Sequence, residues 1–303
     1  MTLAIDPLRP DDHDLVRALA GHPSLAREFE ILLPPRALDD ALADPFAARD
    51  ASFVARRDGR PIGFAISFLL PGTEHDWAMI RIGVVETWRR RGAGTALLDA
   101  CRAALVSSPR GPVTEHCLAA WLPAAEAERF ADRRGFRRVR SFWRMERPRG
   151  AVAAPAWPDG VQIRTWNGTE EDLVAWHRAY SDSFARHYHF VRSSVEDVRA
   201  MTRAHHFRPD GLVLAWQDGA CVGFCRNQVS GDRGEVALLG VVPAAQQRGL
   251  GRALLRWSVD WLQSTPARVV ELLVDGENES ALGLYRGEGF EVAATRAIWS
   301  RPL

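Results

Sequence analysis

Read at an offset of about 155 residues, the two halves of this chain spell the same order of features, and a repeat of that size is a domain rather than a solenoid unit. In each half a short apolar run precedes an acidic helix start, with Asp14-Leu15-Val16 matching Asp172-Leu173-Val174. Acidic side chains in a first turn favour helix initiation through the helix dipole. Two apolar runs follow, split by Asp58-Gly59 in the first half and Asp218-Gly219 in the second. That dipeptide favours the tight turn of a β-hairpin. A further strand, WAMIRIGVV or EVALLGVV, runs into an Arg- or Gln-rich turn with paired glycines and then a long helix, in which Leu254, Leu255, Val259 and Leu262 keep helical spacing. Each half closes with another strand, a short helix ending in Gly-Phe and a last Trp-containing strand. The pattern predicts a mixed α/β class without the classical Rossmann order.

Between the halves lies RMERPRGAVAAPAWPDG, rich in Pro, Gly and Ala and without hydrophobic period. Domains are therefore expected at 1–147 and 160–303, joined by a linker at 148–159. A length of 303 residues suits two cores, and 47% hydrophobic with 25% charged residues is ordinary globular usage. The formal net charge of +1 supplies no field that would favour nucleic acid or an anionic membrane as the main partner. All 39 basic residues are arginine, which suits a phosphate-rich ligand. The start MTLAIDPLRPDDHD has no basic segment followed by an apolar run, and no apolar stretch reaches the ~18 residues of a membrane span, so a cytoplasmic protein is expected. Cys101, Cys117, Cys221 and Cys225 are too scattered for a disulfide framework and read as buried free thiols rather than metal ligands; no metal is expected.

The segment GVVPAAQQRGLGRALL sets Gln246, Arg248, Gly249 and Gly251 between a strand end and a helix start. Glycines let backbone approach an anion, first-turn amides point outward, and the dipole favours negative charge there, so a pyrophosphate fits without a P-loop lysine. By itself a glycine pair also marks any tight strand-to-helix turn. Together with Asn278-Glu279-Ser280-Ala281-Leu282-Gly283-Leu284-Tyr285-Arg286-Gly287-Glu288-Gly289-Phe290, however, the turn resembles the GCN5-related N-acetyltransferase (GNAT) family, in its tandem-domain, mycothiol-synthase-like form. The resemblance covers both halves and implies two tandem GNAT acyltransferase domains.

It further implies acetyl-CoA as co-substrate. The pyrophosphate would lie on the amides of Gln246, Gln247, Arg248, Gly249, Leu250, Gly251 and Arg252, and the pantetheine arm along Leu239, Val241 and Val242, adding like a strand. Asn278 and Ala281 would hold the arm from the short helix. In the family two parallel strands splay and the thioester lies in the wedge; Gly240 is a candidate for the bulge. Two-residue alternation puts Glu235 on a face with Ala237, Leu239 and Val241. An alkyl amine of pKa near 10.4 is protonated at pH 7, at a cost of roughly 4 to 5 kcal/mol before it can attack, so a base is useful. Glu235 stands where mycothiol-synthase-like proteins carry a glutamate in that role, and Tyr285 where a hydroxyl meets the leaving sulfur as general acid. Ordinary surface and packing roles are the alternatives for both.

The first half keeps the turn as GVVETWRRRGAGTALL, with Arg89, Arg91, Gly92 and Gly94 as a possible second CoA site. Counting back from Gly83 puts Ala78 where Glu235 stands, and counting from Gly135-Phe136 puts Ala131 and Ala124 where Tyr285 and Asn278 stand. Catalysis is thus expected in the second half only, unless Glu74, His75 or Asp76 supplies a base in the first. Substrate contacts are expected from His187, Tyr188 and His189, in a stretch with Phe190 and Arg192 whose basic character disfavours lysine-rich peptides, while the resemblance implies a small-molecule amine such as a cysteinyl aminosugar, an antibiotic or another metabolite. The competing reading is an acyl-CoA-binding protein without turnover, for which a base and an acid are unnecessary.

Overall fold

The computed structural model describes residues 2–25, 46–72, 76–107, 113–191, 193–203 and 207–303, and the chain divides into two compact units. Glu74, His75 and Arg192 lie outside the described residues. Unit 1 comprises residues 1–140 with 296–303, and unit 2 comprises 141–295. The chain runs β1 (Leu3–Pro7), α1 (His13–Ala20), β2 (Phe53–Arg57), β3 (Arg60–Leu70), β4 (Trp77–Val84), α2 (Ala93–Val106), β5 (Glu115–Trp121), α3 (Ala125–Arg133) and β6 (Arg137–Pro148). It continues with β7 (Gln162–Thr165), α4 (Glu170–Phe184), α5 (Val195–Arg203), β8 (Leu212–Gln217), β9 (Ala220–Ser230), β10 (Arg233–Val241), α6 (Leu250–Ser264), β11 (Val269–Asp275), α7 (Glu279–Gly287) and β12 (Glu291–Pro302). None of the helices among the described residues is long and apolar enough to cross a membrane.

In unit 1 the strands lie in the order β1-β2-β3-β4-β5-β12, and in unit 2 β7-β8-β9-β10-β11-β6. Neighbours within each unit are antiparallel except β4 with β5 and β10 with β11. Both Asp-Gly turns form as expected: Asp58 and Gly59 have φ of 48° and 79°, Asp218 and Gly219 of 50° and 78°. Positive φ at two successive residues gives the turn whose twist matches that of the strands it joins.

The closing strands are exchanged. β12 pairs through Arg296–Pro302 with β5, completing unit 1, while β6 pairs through Phe142–Pro148 with β11, completing unit 2. The compact units thus divide the chain at 140/141 and 295/296, whereas the repeat suggested domains at 1–147 and 160–303 joined by 148–159. The stretch after Pro148 holds neither helix nor strand, as its composition predicts. It is no free spacer: Arg149 donates to the carbonyls of Thr265 and Ala267 (3.1 and 2.6 Å), Gly150 N to Gln263 Oε1 (2.7 Å), and Val152, Trp157 and Val161 pack on the unit 2 core.

Helices cover both faces of the unit 2 sheet. Leu250, Leu254, Leu255, Val259 and Leu262 of α6 pack on one face with Leu282 and Tyr285 of α7; Leu173, Trp176 and Ala179 of α4 pack on the other with Leu212, Leu214 and Phe224. The i, i+4 and i+8 spacing of Leu250, Leu254 and Ser258, with Leu255, Val259 and Leu262 beside them, makes a continuous buried stripe. α4 starts at a Thr169 cap, whose hydroxyl accepts the Asp172 amide (3.3 Å).

Candidate active site

Each unit carries a turn of one geometry between a strand end and a helix. Gln247 and Gly249 have φ of 60° and 84°; Arg90 and Gly92 in unit 1 have 60° and 89°. A side chain ties each turn to the strand it leaves: Gln246 Nε2 donates to Val241 O (2.9 Å), and Arg89 Nε to Val84 O (3.0 Å). Arg89 also meets Glu126 (2.8 Å) and Ser24 O (2.8 Å), so its guanidinium braces the turn instead of facing outward. The first intrahelical bond of α6 is Ala253 N to Gly249 O, and among the described residues the amides of 247–252 donate to no backbone acceptor. Six donors at the positive end of a fifteen-residue helix give that end a potential that favours an anion. Arg248 is exposed and makes no ion pair among the described residues, whereas Arg252 is drawn to Glu288 (3.3 Å), which Arg256 also grips with two bonds of 2.9 Å.

β10 and β11 run side by side only for Arg233↔Val269, Gly234↔Val270 and Glu235↔Glu271. β10 then continues to Val241 and β11 to Asp275 without further pairing, so the two strands splay immediately after Glu235. On the other side of β10 the ladder with β9 slips between Val236↔Asn227 and Leu238↔Arg226, leaving Ala237 as a bulge. A bulge bends its strand and adds twist. It also breaks the alternation on which the sequence reading relied. Glu235, Leu238 and Gly240 share the α4 face, opposite Gln228, Arg226 and Phe224; Leu239 and Val241 share the α6 face with Val236. Glu235 is thus on the opposite face from Leu239 and Val241. The bulge is not at Gly240, which is glycine for another reason: a Cβ there would come within 2.5 Å of the Phe224 ring and 3.1 Å of Ser183 Cβ.

Glu235 is enclosed by side chains on the α4 face. Gln228, its cross-strand partner, donates a short bond from Nε2 to Glu235 Oε2. Burial raises the Glu235 pKa, the Gln228 bond lowers it, the Glu271 carboxylate raises it and the Arg226 guanidinium lowers it; the net direction is upward. Tyr285 sits on the α6 face in one cluster with Leu239, Val241 and Ala281, its ring 6.0 Å from that of Phe290. Burial holds its hydroxyl far above the usual tyrosine range, so it stays neutral. The proposed base and hydroxyl therefore flank the opening from opposite faces. Asn278 Oδ1 accepts the Ala281 amide (3.1 Å) and caps α7, which occupies both groups with each other and leaves Asn278 Nδ2 as the donor for a ligand.

His187, Tyr188 and His189 form the turn after α4. His187 packs against Phe184 with ring centroids 4.5 Å apart and planes tilted by 52°, and lies in the field of Asp275, the last residue of β11; burial lowers its pKa while Asp275 raises it. It thus stands at the mouth of the splay on the side of Glu235. Tyr188 and His189 stack on one another at 4.0 Å, and His189 has φ of 50°. The four cysteines are free, burial pushes each thiol up to about 12, and no cluster among the described residues could hold a metal.

In unit 1, β4 and β5 pair at Trp77↔Glu115, Ala78↔His116 and Met79↔Cys117 before separating, but β4 has no bulge opposite β3. Matching the ladders, Met79 and not Ala78 is the counterpart of Glu235, because counting along the sequence skips the extra residue Ala237. Ala131 does occupy the Tyr285 position, each accepting the amide of the following Phe (3.0 Å), and Ala124 sits at the cap position of Asn278. Sequence spacing gives no sign of Gln228, Arg226 and Glu271 around the carboxylate, or of Arg233 paired with Glu271 beside it. Their signal is strand register, which no single segment of sequence displays.

Residues 22–136 and 170–290 each match the family model described as Acetyltransferase (GNAT) family. The chain is 36% identical over 267 residues to a mycothiol acetyltransferase of Thermomonospora curvata, covering 87% of this chain and 86% of that protein. To a mycothiol acetyltransferase of Kineococcus radiotolerans it is 34% identical over 312 residues, covering 95% and 93%. In fold it is similar to a GCN5-related N-acetyltransferase from Sphaerobacter thermophilus (TM-score 0.73, 23% identity, 99% of this chain and 95% of that one). It is equally similar to a tandem GNAT protein from the clavulanic acid biosynthesis pathway (TM-score 0.73, 20% identity, 99% and 98%).

Proposed function

The chain belongs to the GNAT acetyltransferase family and is an N-acetyltransferase; from this premise we propose that unit 2 transfers the acetyl group of acetyl-CoA to the primary amine of a small molecule, by direct attack of the amine on the thioester. The observation that carries the reading is the opening between β10 and β11, with Glu235 on one face, Tyr285 on the other and a fan of unpaired amides from Gln247 to Arg252 beyond its end. Acetyl-CoA supplies the activated acyl group. The 247–252 amides and Arg248 hold its pyrophosphate, and the edge of β10 that β11 leaves, from Leu239 to Val241 and on to Val242, takes the amide groups of its arm as a neighbouring strand would.

Glu235 takes the proton of the incoming ammonium, directly or through water. Its raised pKa brings it nearer to that of the amine, which makes it a better proton acceptor than an ordinary surface carboxylate. Tyr285 donates a hydrogen bond to the departing sulfur. Because burial keeps the phenol neutral, it acts by stabilising developing thiolate charge, without needing to give up its proton to a thiol of pKa near 8.5. Likeness to the mycothiol acetyltransferases favours a cysteinyl aminosugar as acceptor, and His187 at the mouth of the opening is the first residue to meet it. Unit 1, with Met79, Ala131 and Ala124 in the three matching positions, is proposed to be non-catalytic, its turn at Arg91, Gly92 and Gly94 available for CoA.

Calorimetric titration of acetyl-CoA into wild type and Gly249→Asp tests the cradle, and thiol release with a cysteinyl aminosugar and with aminoglycosides tests the acceptor. Binding weakened by Gly249→Asp, with release on the cysteinyl amine, supports the reading. Release only on aminoglycosides moves the acceptor to antibiotics, binding without release on any amine favours a non-catalytic acyl-CoA binder, and no binding removes the co-substrate assignment.

A further inference from the structure

Four side chains in register cross unit 2: Gln228 on β9, Glu235 on β10, Glu271 on β11 and Glu146 on β6. Residues opposite one another on adjacent strands point to the same face, with Cβ atoms about 5 Å apart, so three carboxylates form one row. Arg233 precedes Glu235 by two positions and shares its face. Its Nε donates to Glu271 Oε2 (2.7 Å), and its Nη2 makes short contacts to Glu271 Oε2 and Glu146 Oε1. Arg144, two positions before Glu146, adds a second cation at 3.2 Å from Glu146. Among the described residues Glu235 is the one carboxylate of the row that makes no ion pair; it has the Gln228 bond and the field of Arg226, two positions along β9. Tyr180 faces the same space from α4 as a buried neutral phenol.

Resting on the assignment of Glu235 as the base, we propose that Arg233 is a positioning residue for acetyl transfer: by pairing with Glu271 it prevents the neighbouring carboxylate from forcing Glu235 into its protonated, inactive form. The arrangement discriminates between three chemically equal groups. Glu271 and Glu146 are locked to arginines, so neither competes for the amine proton. Glu235 is left able to gain and lose one. The Glu271 charge already acts on Glu235 in the upward direction with Arg233 in place. With Arg233 gone, two like charges on adjacent strands would face each other, and the relief is protonation of Glu235, whose pKa burial already raises.

The test needs no acceptor in its first arm. Carbon-13 NMR of protein labelled at the glutamate carboxyl carbon follows the Glu235 titration, assigned by the signal lost in Glu235→Gln. Arg233→Gln is expected to move the midpoint up by about one pH unit, Glu271→Gln to move it down, and the double variant to abolish the upward shift. An unmoved midpoint in Arg233→Gln, or an upward shift that survives in the double variant, overturns the proposal. Should Arg233→Gln fail to fold, the near-isosteric Glu271→Gln decides alone: a fall supports the coupling and a stationary midpoint overturns it. In the second arm, the acid limb of kcat/KM with acetyl-CoA and a cysteinyl aminosugar must follow the NMR midpoint across the series. A limb that stays while the midpoint moves leaves the electrostatics standing and overturns Glu235 as the base.

Discussion

Glu235 is held in the folded protein as a weaker acid than a free glutamate, with burial the first cause. The proposed base works in its ionised form, so activity should fall as pH drops through a midpoint above the usual value of about 4.3. Glu235→Gln removes that limb and should lower kcat/KM by roughly 10²- to 10⁴-fold, most severely where the amine is fully protonated. The same shift has a consequence for stability. A carboxylate whose folded pKa exceeds its unfolded one destabilises the fold fully above the folded pKa and not at all below the unfolded one. Glu235→Gln keeps an amide for Gln228 to bond and removes the buried charge. Its Tm should therefore equal or exceed that of wild type at pH 8, with the difference vanishing on acidification; a Tm well below wild type at pH 8 would mean the charge is stabilised by its surroundings. Tyr285→Phe should lower kcat with little effect on acetyl-CoA affinity in calorimetry, because the ring, its packing on Phe290 and the surrounding cluster are retained.

At the scale of the element, the strand-to-helix turn separates conformational strain from chemistry. A Cβ on Gly249 would meet nothing within 4 Å, but its φ of 84° disfavours any other residue. Gly249→Ala should thus cost about 1 kcal/mol of stability and modest affinity, while Gly249→Asp adds a negative charge at the helix N-terminus proposed to hold the pyrophosphate. Calorimetry with acetyl-CoA should rank the two in that order. Gly92→Asp, at the same position of unit 1, should leave turnover nearly intact, and a loss equal to that of Gly249→Asp would contradict a non-catalytic first unit. The bulge at Ala237 belongs to this scale too. It lies where pairing with β11 ends and sets Glu235 on the face opposite Leu239 and Val241, so one inserted residue aims the carboxylate.

Over the whole molecule, the exchange of closing strands makes each unit depend on chain from the other half of the sequence. A fragment 160–303 contains the entire second repeat but lacks β6, leaving the β11 edge unpaired and removing Met145, which is fully buried in the unit 2 core. A large buried side chain lost from a core costs about 2 to 5 kcal/mol, and an unpaired edge invites aggregation. The fragment 141–295 carries every strand of unit 2. Thermal unfolding followed by circular dichroism should show a cooperative transition for 141–295 and a broad or absent one for 160–303; the reverse order would contradict the exchanged topology.

Legible in the chain alone are the class, the duplication, both hairpin turns, the two glycine-rich strand-to-helix turns, and Glu235 and Tyr285 as residues of interest. These are local: turn conformation, helix starts and hydrophobic period are written in a few consecutive residues. Folding alone reveals which face Glu235 occupies, that Met79 is its counterpart, which strand closes which sheet, and that Gln228, Arg226 and Glu271 neighbour the carboxylate. The physical reason is register. A strand's side chains alternate strictly, so a single bulge reverses every face beyond it, and two amphipathic strands of similar length fit either sheet edge until packing chooses between them.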